Sequence, residues 1–154
     1  MKFDSTLLND FASIATIVGI LLAVLTFLYT AYQVQLNTKT NTGTFWLELE
    51  KMFSNHDDVH IKLRLGGEWA INNSGPENAI DWAKVEDYMG LFEHCEIMLQ
   101  KKLIDWNTFH KIFSYRIYNI MANERIVQAK LVNEKKSWED FLKLLKRMGI
   151  NCPT

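Results

Sequence analysis

Cysteine is scarce in this sequence, and the two that occur are not spaced for cysteine chemistry. Cys95 falls within an apolar helical pattern, and Cys152 lies near the end of the chain. Neither position is typical of a disulfide framework or of a cysteine metal site. Free thiols of this kind favour a domain that lies in the cytosol.

The sequence also lacks the short motifs that accompany common enzyme reactions. It contains no GxSxG nucleophile motif, no P-loop and no glycine-rich dinucleotide fingerprint, and the pair Gly66-Gly67 is too short a signal on its own. Internal repeats and low-complexity tracts are absent as well. We therefore expect no enzyme activity, no catalytic residues and no cofactor.

Charged residues are missing from one long stretch, because none occurs between Asp10 and Lys39. The centre of this stretch, Phe11–Tyr32, would form a helix about 33 Å long, which matches a hydrocarbon layer of about 30 Å. Tyr29 and Tyr32 occupy the place of an interfacial aromatic belt. The sequence therefore predicts one membrane-spanning helix near the N-terminus.

Two other kinds of segment can be equally apolar, namely a secretory signal peptide and the core helix of a soluble domain. A signal peptide has a basic start and a small-residue cleavage site, whereas this chain begins MKFDSTLLND and continues with Gln33–Leu36 after the apolar run. A core helix of this length is too long for a domain this small. We favour a single span with the N-terminus outside and the C-terminal part in the cytoplasm.

Helical periodicity continues beyond the span, which predicts an all-α fold: one N-terminal transmembrane helix followed by a compact helical soluble domain. The predicted organisation is an anchor over residues 1–38, a polar linker over 39–44 and a helical domain over 45–154. Residues 59–65 alternate as a strand would, but their helical neighbours favour a helix. The predicted helices are Thr44–Ser54 capped by Thr44, one from Asp57-Asp58 to Gly66-Gly67, one capped by Asp81 and reaching Leu103, one capped by Asp105 and reaching Met121, one over Glu124–Leu131, and a last one capped by Ser137 and ended by Gly149.

Acidic and basic residues are unevenly divided within the predicted domain. Residues 45–100 contain 4 basic and 11 acidic residues, while residues 101–154 contain 11 basic and 5 acidic ones. Either the two halves pack as complementary faces, within a domain or between subunits, or the basic half lines a site for an anion such as a phosphate or nucleotide. Because the charges of the whole domain balance, we expect no binding to duplex nucleic acid.

Six polar residues make up the candidate ligand site. Guanidinium and ammonium groups pair with phosphates, and aromatic rings stack on bases. Lys111, Tyr115 and Asn119 are four residues apart, so they share one face of a predicted helix. The alternative is an ordinary solvated helix face. The candidate residues are Lys62, Arg64, His110, Lys111, Arg116 and Asn119.

Two patterns raise the question of a metal site. His56 and His60 are four residues apart, but no further ligands stand at suitable spacing. Glu134-Lys135-Lys136 matches the ExK element of many nucleases, in which the signature lies on a strand, whereas here it precedes a helix. We favour a helix start with polar side chains for the histidine pair and a solvated charge run for Glu134-Lys135-Lys136. No metal site is expected.

The stretch YMGLFEHCEIMLQKKLIDWNTFHKIFSYRIYNI, with Phe92-Glu93 and the step Leu103-Ile104-Asp105, resembles small bacterial proteins that have one N-terminal helix and a cytosolic helical domain. Its layout is similar to that of the membrane effector associated with type III CRISPR systems. This resemblance implies a non-enzymatic antiviral protein of the bacterial inner membrane. It also implies that the cytosolic domain binds a cyclic oligoadenylate, cyclic tetra-adenylate in particular, as a homo-oligomer and perturbs the membrane.

The spacing of small residues agrees with such an oligomer. Ala12, Thr16, Gly19 and Ala23 lie on adjacent turns of the span, where they allow close helix approach. A tetramer would present one copy to each phosphate of a cyclic tetranucleotide. The alternative function is a membrane-tethered helical scaffold for protein–protein interactions without a nucleotide ligand, and a membrane-bound nuclease is the least favoured hypothesis.

Overall fold

In a computed structural model, the chain is described over residues 5–71 and 74–151, with side chains from residue 15 onward except residue 39. No strand occurs within these ranges, and the predicted all-α fold is confirmed. The elements are α1 (Ser5–Ser54), α2 (Asp57–Leu63), α3 (Glu68–Ile71), α4 (Ala79–Gln100), α5 (Trp106–Met121), α6 (Glu124–Ile126), a π-helix (Val127–Asn133), a 3₁₀ helix (Lys135–Trp138) and α7 (Glu139–Arg147).

The apolar stretch lies on α1. Contacts divide the chain into two compact units, the first ending at Leu49 and the second beginning at Glu50. In the first unit, the large apolar side chains between Ile17 and Leu36 are exposed. By length and composition, α1 is the one helix of the described chain that can cross a membrane. Of the small residues spaced for helix packing, the side chain of Ala12 lies outside the described residues.

The segment expected to be a linker is helical, so the predicted cap at Thr44 is wrong. The hydroxyls of Thr38, Thr40 and Thr42 donate to carbonyl oxygens four residues earlier, at 2.9, 3.1 and 2.8 Å. Hydroxyls engaged in this way do not capture the following amides as a cap would. The division into an anchor and a helical domain stays a prediction.

Helix α4 begins at Ala79, two residues before the predicted cap, Asp81. Asn78 is the cap instead, because its Oδ1 accepts a hydrogen bond of 2.9 Å from the Asp81 amide. The Asn78 side-chain amide donates in return to the Asp81 carboxylate at 3.0 Å. Asp81 therefore takes the third position of a capping box, where an acidic residue belongs as naturally as it does at the cap.

The same helix ends earlier than its apolar stripe predicted. Lys102 adopts a left-handed conformation with φ of 55°. The Leu103 amide donates to the Met98 carbonyl at 2.9 Å, which closes a Schellman motif. Leu103 leaves the helical register and is 68% exposed, while Ile104 is buried in its place.

Helix α5 begins as predicted, whereas α7 does not. Asp105 caps α5, because its Oδ2 accepts from the Thr108 amide at 2.7 Å. Ser137 is not the cap of α7 but part of the preceding 3₁₀ helix. The Phe141 amide in the first turn of α7 donates instead to Glu93 of α4 at 3.2 Å. Glu93, which is distant in sequence, thus accepts a hydrogen bond from the first turn of α7, as Ser137 was expected to do.

Of three further predictions about the helices, two agree with the structure and one does not. Residues 57–63 form a helix and not a strand, and Gly66 follows it with φ of 85°. Gly149 ends α7 with φ of 73°, as predicted. The helix predicted over Glu124–Leu131 is a single short turn followed by a π-helix.

The core of the second unit is built from aromatic rings. The ring of Phe53 lies 4.5 Å from that of Phe113 and 4.7 Å from that of Phe92. Phe92 also meets the ring of Phe141 edge-on at 6.1 Å, so rings from α1, α4, α5 and α7 touch one another. Each of these side chains is buried. Aromatic pairs at such distances add to the stabilisation that burial provides.

We expect Phe92→Ala to destabilise the helical domain by about 3–5 kcal/mol, because the cavity would open where three neighbouring rings meet. Denaturant unfolding of the full chain in neutral detergent, followed by tryptophan fluorescence, measures this change. The control Leu103→Ala removes an exposed side chain and should change stability by less than about 0.5 kcal/mol. Equal effects of the two substitutions would contradict this core.

Candidate functional site

Three ion pairs join the acidic and basic halves of the helical domain. Lys130 Nζ lies 2.6 Å from Glu86, Arg147 lies 2.7 Å from Glu96, and Arg116 lies 3.1 Å from Asp57. In each pair the carboxylate comes from the acidic half and the cation from the basic half. The halves therefore pack as complementary faces within one unit, the first of the two interpretations of the charge pattern.

Arg116 was predicted to meet a ligand, but it lies inside the domain with 9% exposure. Its Nη2 bonds Asp57, its Nε donates to the Tyr115 hydroxyl at 3.0 Å, and its guanidinium lies 5.8 Å from the centre of the Phe53 ring. Within the described residues its buried Nη1 has no hydrogen-bond partner. The carboxylate of Asp57 compensates for the burial of this charge, which the sequence had placed on a solvated helix face. Arg116 thus stabilises the fold and is withdrawn from the candidate site.

A small network surrounds this guanidinium. Tyr88 approaches His60 Nδ1 with its hydroxyl at 3.5 Å, and the ring of His60 lies 5.3 Å from that of Tyr115. Burial raises the pKa of Tyr88 to about 12, with Arg116 opposing the shift. Burial also lowers the pKa of His60, helped by the charge of Arg116 and opposed by that of Asp57. His60 is therefore held in its neutral form.

Two more candidate residues are already engaged. Lys62 pairs with Asp81 at 3.2 Å, and its ammonium lies 4.7 Å above the Trp69 ring. His110 is half-buried, with its ring 5.3 Å from that of Trp106. The Lys62 ammonium is therefore engaged within the domain, while the ring contact of His110 leaves the role of its ring nitrogens a prediction.

The remaining candidates belong to α5 and to the end of α2, two elements that contact each other, and we call this set the α2–α5 surface. Arg64 and Lys111 are exposed and make no ion pair within the described residues. Tyr115 and Tyr118 are about half exposed on the same helix as Lys111. Asn119 lines a cavity of about 180 Å³ together with Leu63 and Leu65, the two sequence neighbours of Arg64. The α2–α5 surface consists of Arg64, Lys111, Tyr115, Tyr118 and Asn119.

That cavity combines apolar walls with amide groups. Its other lining residues include Leu63, Ala122 and Asn123. The Asn123 side chain is committed to the fold, since it donates to the Ser74 carbonyl and accepts from the Ile126 amide at 3.0 Å. Asn119 is therefore the amide that remains for a ligand in this cavity.

A second basic region was missed by the sequence analysis. It is an open groove of about 410 Å³ between the 3₁₀ helix and α7, which we call the lysine groove. Four lysines separated by up to eleven positions in sequence meet there, and only the helical fold brings them together. Its lining residues are Lys135, Lys136, Glu139, Leu142, Lys143 and Lys146.

The residues considered for metal or redox chemistry are placed differently. Glu134 of the ExK element accepts from Lys130 at 2.9 and 3.0 Å and adjoins a 3₁₀ helix. Among the described residues, no three histidine, cysteine or acidic side chains come together as a metal site. Burial raises the pKa of Cys95 to about 12, so this thiol is protonated. Cys152 lies outside the described residues.

No protein-family model, no curated protein and no solved structure matches this chain. The placement of its own residues therefore carries the functional argument.

Arg116→Ala should destabilise the domain by about 2 kcal/mol, because it removes a charged hydrogen bond and leaves a void beside Phe53. Arg64→Ala, the matched control, removes an exposed arginine without an ion pair and should change stability by less than about 0.5 kcal/mol. Denaturant unfolding of both variants in detergent measures the difference. A stable Arg116→Ala variant would show that the buried guanidinium does not hold α5 against α2.

Lowering the pH below 6.5, the ordinary pKa of histidine, should reduce the free energy of unfolding. In this range His60 binds a proton in the unfolded chain, whereas its lowered pKa in the folded chain opposes protonation. The groups facing His60 are Arg116, Arg64, Asp57, Tyr88 and Tyr115. One proton limits the slope to about 1.4 kcal/mol per pH unit. His60→Gln should flatten the pH dependence of the unfolding free energy in this range. An unchanged slope in the variant would assign the dependence to other groups.

Proposed function

We propose that this chain is a non-enzymatic, membrane-anchored antiviral effector whose helical domain binds a cyclic oligoadenylate. In this proposal α1 crosses the bacterial inner membrane once, and the domain from Glu50 onward lies in the cytoplasm. The proposed ligand is cyclic tetra-adenylate. The ligand acts by changing how copies of the chain assemble, and the assembly perturbs the membrane.

The α2–α5 surface is the observation that carries this proposal. Arg64 and Lys111 are exposed cations without ion-pair partners in the described chain. Such cations are available to pair with phosphate groups. Tyr115 and Tyr118 present half-exposed rings, on which bases can stack. Asn119 adds an amide that can both donate to and accept from a base edge. Phosphate pairing, stacking and edge recognition are the three interactions that a nucleotide needs.

The size of the cavity favours an oligomer. At about 180 Å³ it is smaller than the roughly 300–1,000 Å³ of small-molecule pockets. One copy can therefore accommodate one base-sized group and not a cyclic tetranucleotide. A symmetric homo-oligomer, a tetramer for a ring of four phosphates, would supply one surface for each nucleotide.

The exposed apolar helix supports the membrane part of the proposal. Its side chains between Ile17 and Leu36 lie open along most of the stretch, and its most apolar window has a mean hydropathy of 2.0. Insertion into a bilayer would remove this surface from water. A ligand that binds one arrangement of the domains better than another would shift the population toward it and displace the attached spans.

A membrane-tethered scaffold for another protein is the second candidate function. Apolar side chains are exposed beside the same surface, including Leu65 with 96% exposure, Ile61 and Ile112. Exposed apolar clusters mark protein contacts as well as ligand sites. A scaffold would use these side chains without need of a nucleotide.

Titration of cyclic tetra-adenylate into the full chain in neutral detergent, followed by calorimetry, tests the proposal. Wild type should bind, and Arg64→Gln or Lys111→Gln should each weaken binding about tenfold through loss of a charge-assisted contact. Sedimentation of the same samples should show a homo-oligomer with the ligand bound.

Lys101→Gln is the matched control, because Lys101 is an exposed lysine outside the α2–α5 surface. It should bind cyclic tetra-adenylate as wild type does. Absence of binding by wild type would contradict the sensor and favour the scaffold. Equal binding by all the variants would contradict the site while retaining the ligand.

A further inference from the structure

The lysine groove contains more positive than negative charge. Lys143 pairs with Asp140 at 2.7 Å, but within the described residues Lys135, Lys136 and Lys146 make no ion pair. The groove lining contains a single carboxylate, that of Glu139. Four lysines against one glutamate leave a net charge of three, and the Asp140 pair reduces it to two. Like charges held this close repel one another, and a bound anion would relieve the repulsion.

The fold fixes these lysines on one side of α7. Phe141, Leu144 and Leu145 are buried on the opposite side of the helix. Lys143 and Lys146 are three residues apart, so they stand on adjacent turns of the outward side. The 3₁₀ helix then supplies Lys135 and Lys136 as the other wall. The groove is thus a built feature of the packing and not a flexible lysine tail.

The lining chemistry distinguishes a lipid headgroup from a nucleotide. Among the described residues, no aromatic ring and no amide side chain lines the groove, and such groups are what stacks on a base or reads its edge. The floor is aliphatic, formed by Leu142 and the methylene stems of the lysines. Cations above an aliphatic floor fit a phosphodiester that continues into a hydrocarbon-bearing glycerol.

We propose that the lysine groove binds the phosphate headgroup of an anionic phospholipid. The site is separate from the α2–α5 surface and shares no residue with it. The inference rests on the membrane anchoring in the proposed function, which places headgroups within reach, and not on the nucleotide ligand. Bound headgroups would bias the position of the domain relative to the bilayer surface.

The test titrates short-chain phosphatidylglycerol into the full chain in neutral detergent, with phosphatidylcholine of the same acyl length as the reference lipid. Phosphatidylglycerol should bind and phosphatidylcholine should not. The double variant Lys136→Gln/Lys146→Gln should weaken binding about thirty-fold, since each lysine near an anionic surface contributes about a factor of five. Glu139→Gln removes the one acidic group of the lining and should strengthen binding.

The matched control is Lys101→Gln/Lys102→Gln, which removes the same charge from exposed lysines outside the groove and should bind like wild type. Equal affinity for the two lipids, or an unchanged affinity of the groove variant, would overturn the proposal. Glycerol 3-phosphate binding as tightly as the lipid would overturn it in favour of a soluble phosphate ligand. Extraction of the native chain from membranes without detergent would instead overturn the membrane anchoring in the proposed function. The titration with cyclic tetra-adenylate tests the nucleotide ligand separately.

Discussion

The buried carboxylate of Glu96 constrains the helical domain more than any other group we describe. It is 2% exposed and accepts two hydrogen bonds from Arg147, at 2.7 and 2.9 Å. A carboxylate buried so deeply requires this bidentate partner, because an unpaired charge in the interior is strongly destabilising. The pair fixes the end of α7 against α4, and this placement in turn orients the outward lysines of α7. This pair therefore contributes to the position of the α7 lysines that line the groove.

Ion pairing of this kind also explains how a nearly neutral domain has strongly basic surface regions. Arg116, Lys130 and Arg147 pair with acidic residues of the first half, and one partner of each pair is buried. Four of the remaining lysines meet in the lysine groove beside α7. Counting charges along the chain gives the balance of the two halves but cannot distinguish internal pairs from cations free for a ligand. The structure distinguishes paired cations from exposed ones, and it places Arg116, a predicted ligand-site residue, among the buried side chains.

Local chemistry determined how much of this could be predicted. The all-α fold, the cap at Asp105 and the end at Gly149 depend on periodicity and on side chains a few residues apart, so the sequence carried them. The start of α7 depends on Glu93, a residue distant in sequence, and the cap at Ser137 was therefore wrong. Arg64 and Lys111 are exposed as expected, whereas Lys62 is engaged with Asp81 and Trp69. The lysine groove escaped prediction because its two walls meet only after folding.

The threonines of α1 bear on the depth at which this helix can sit in a bilayer. The hydroxyls of Thr26 and Thr30, like those of Thr38, Thr40 and Thr42, donate hydrogen bonds to carbonyl oxygens one turn earlier. Transfer of such a hydroxyl into hydrocarbon therefore leaves no donor unpaired. The threonines after Tyr32 therefore add little to the energetic penalty of moving this part of α1 toward hydrocarbon. Bilayers of different thickness should accordingly accommodate the same helix by vertical adjustment.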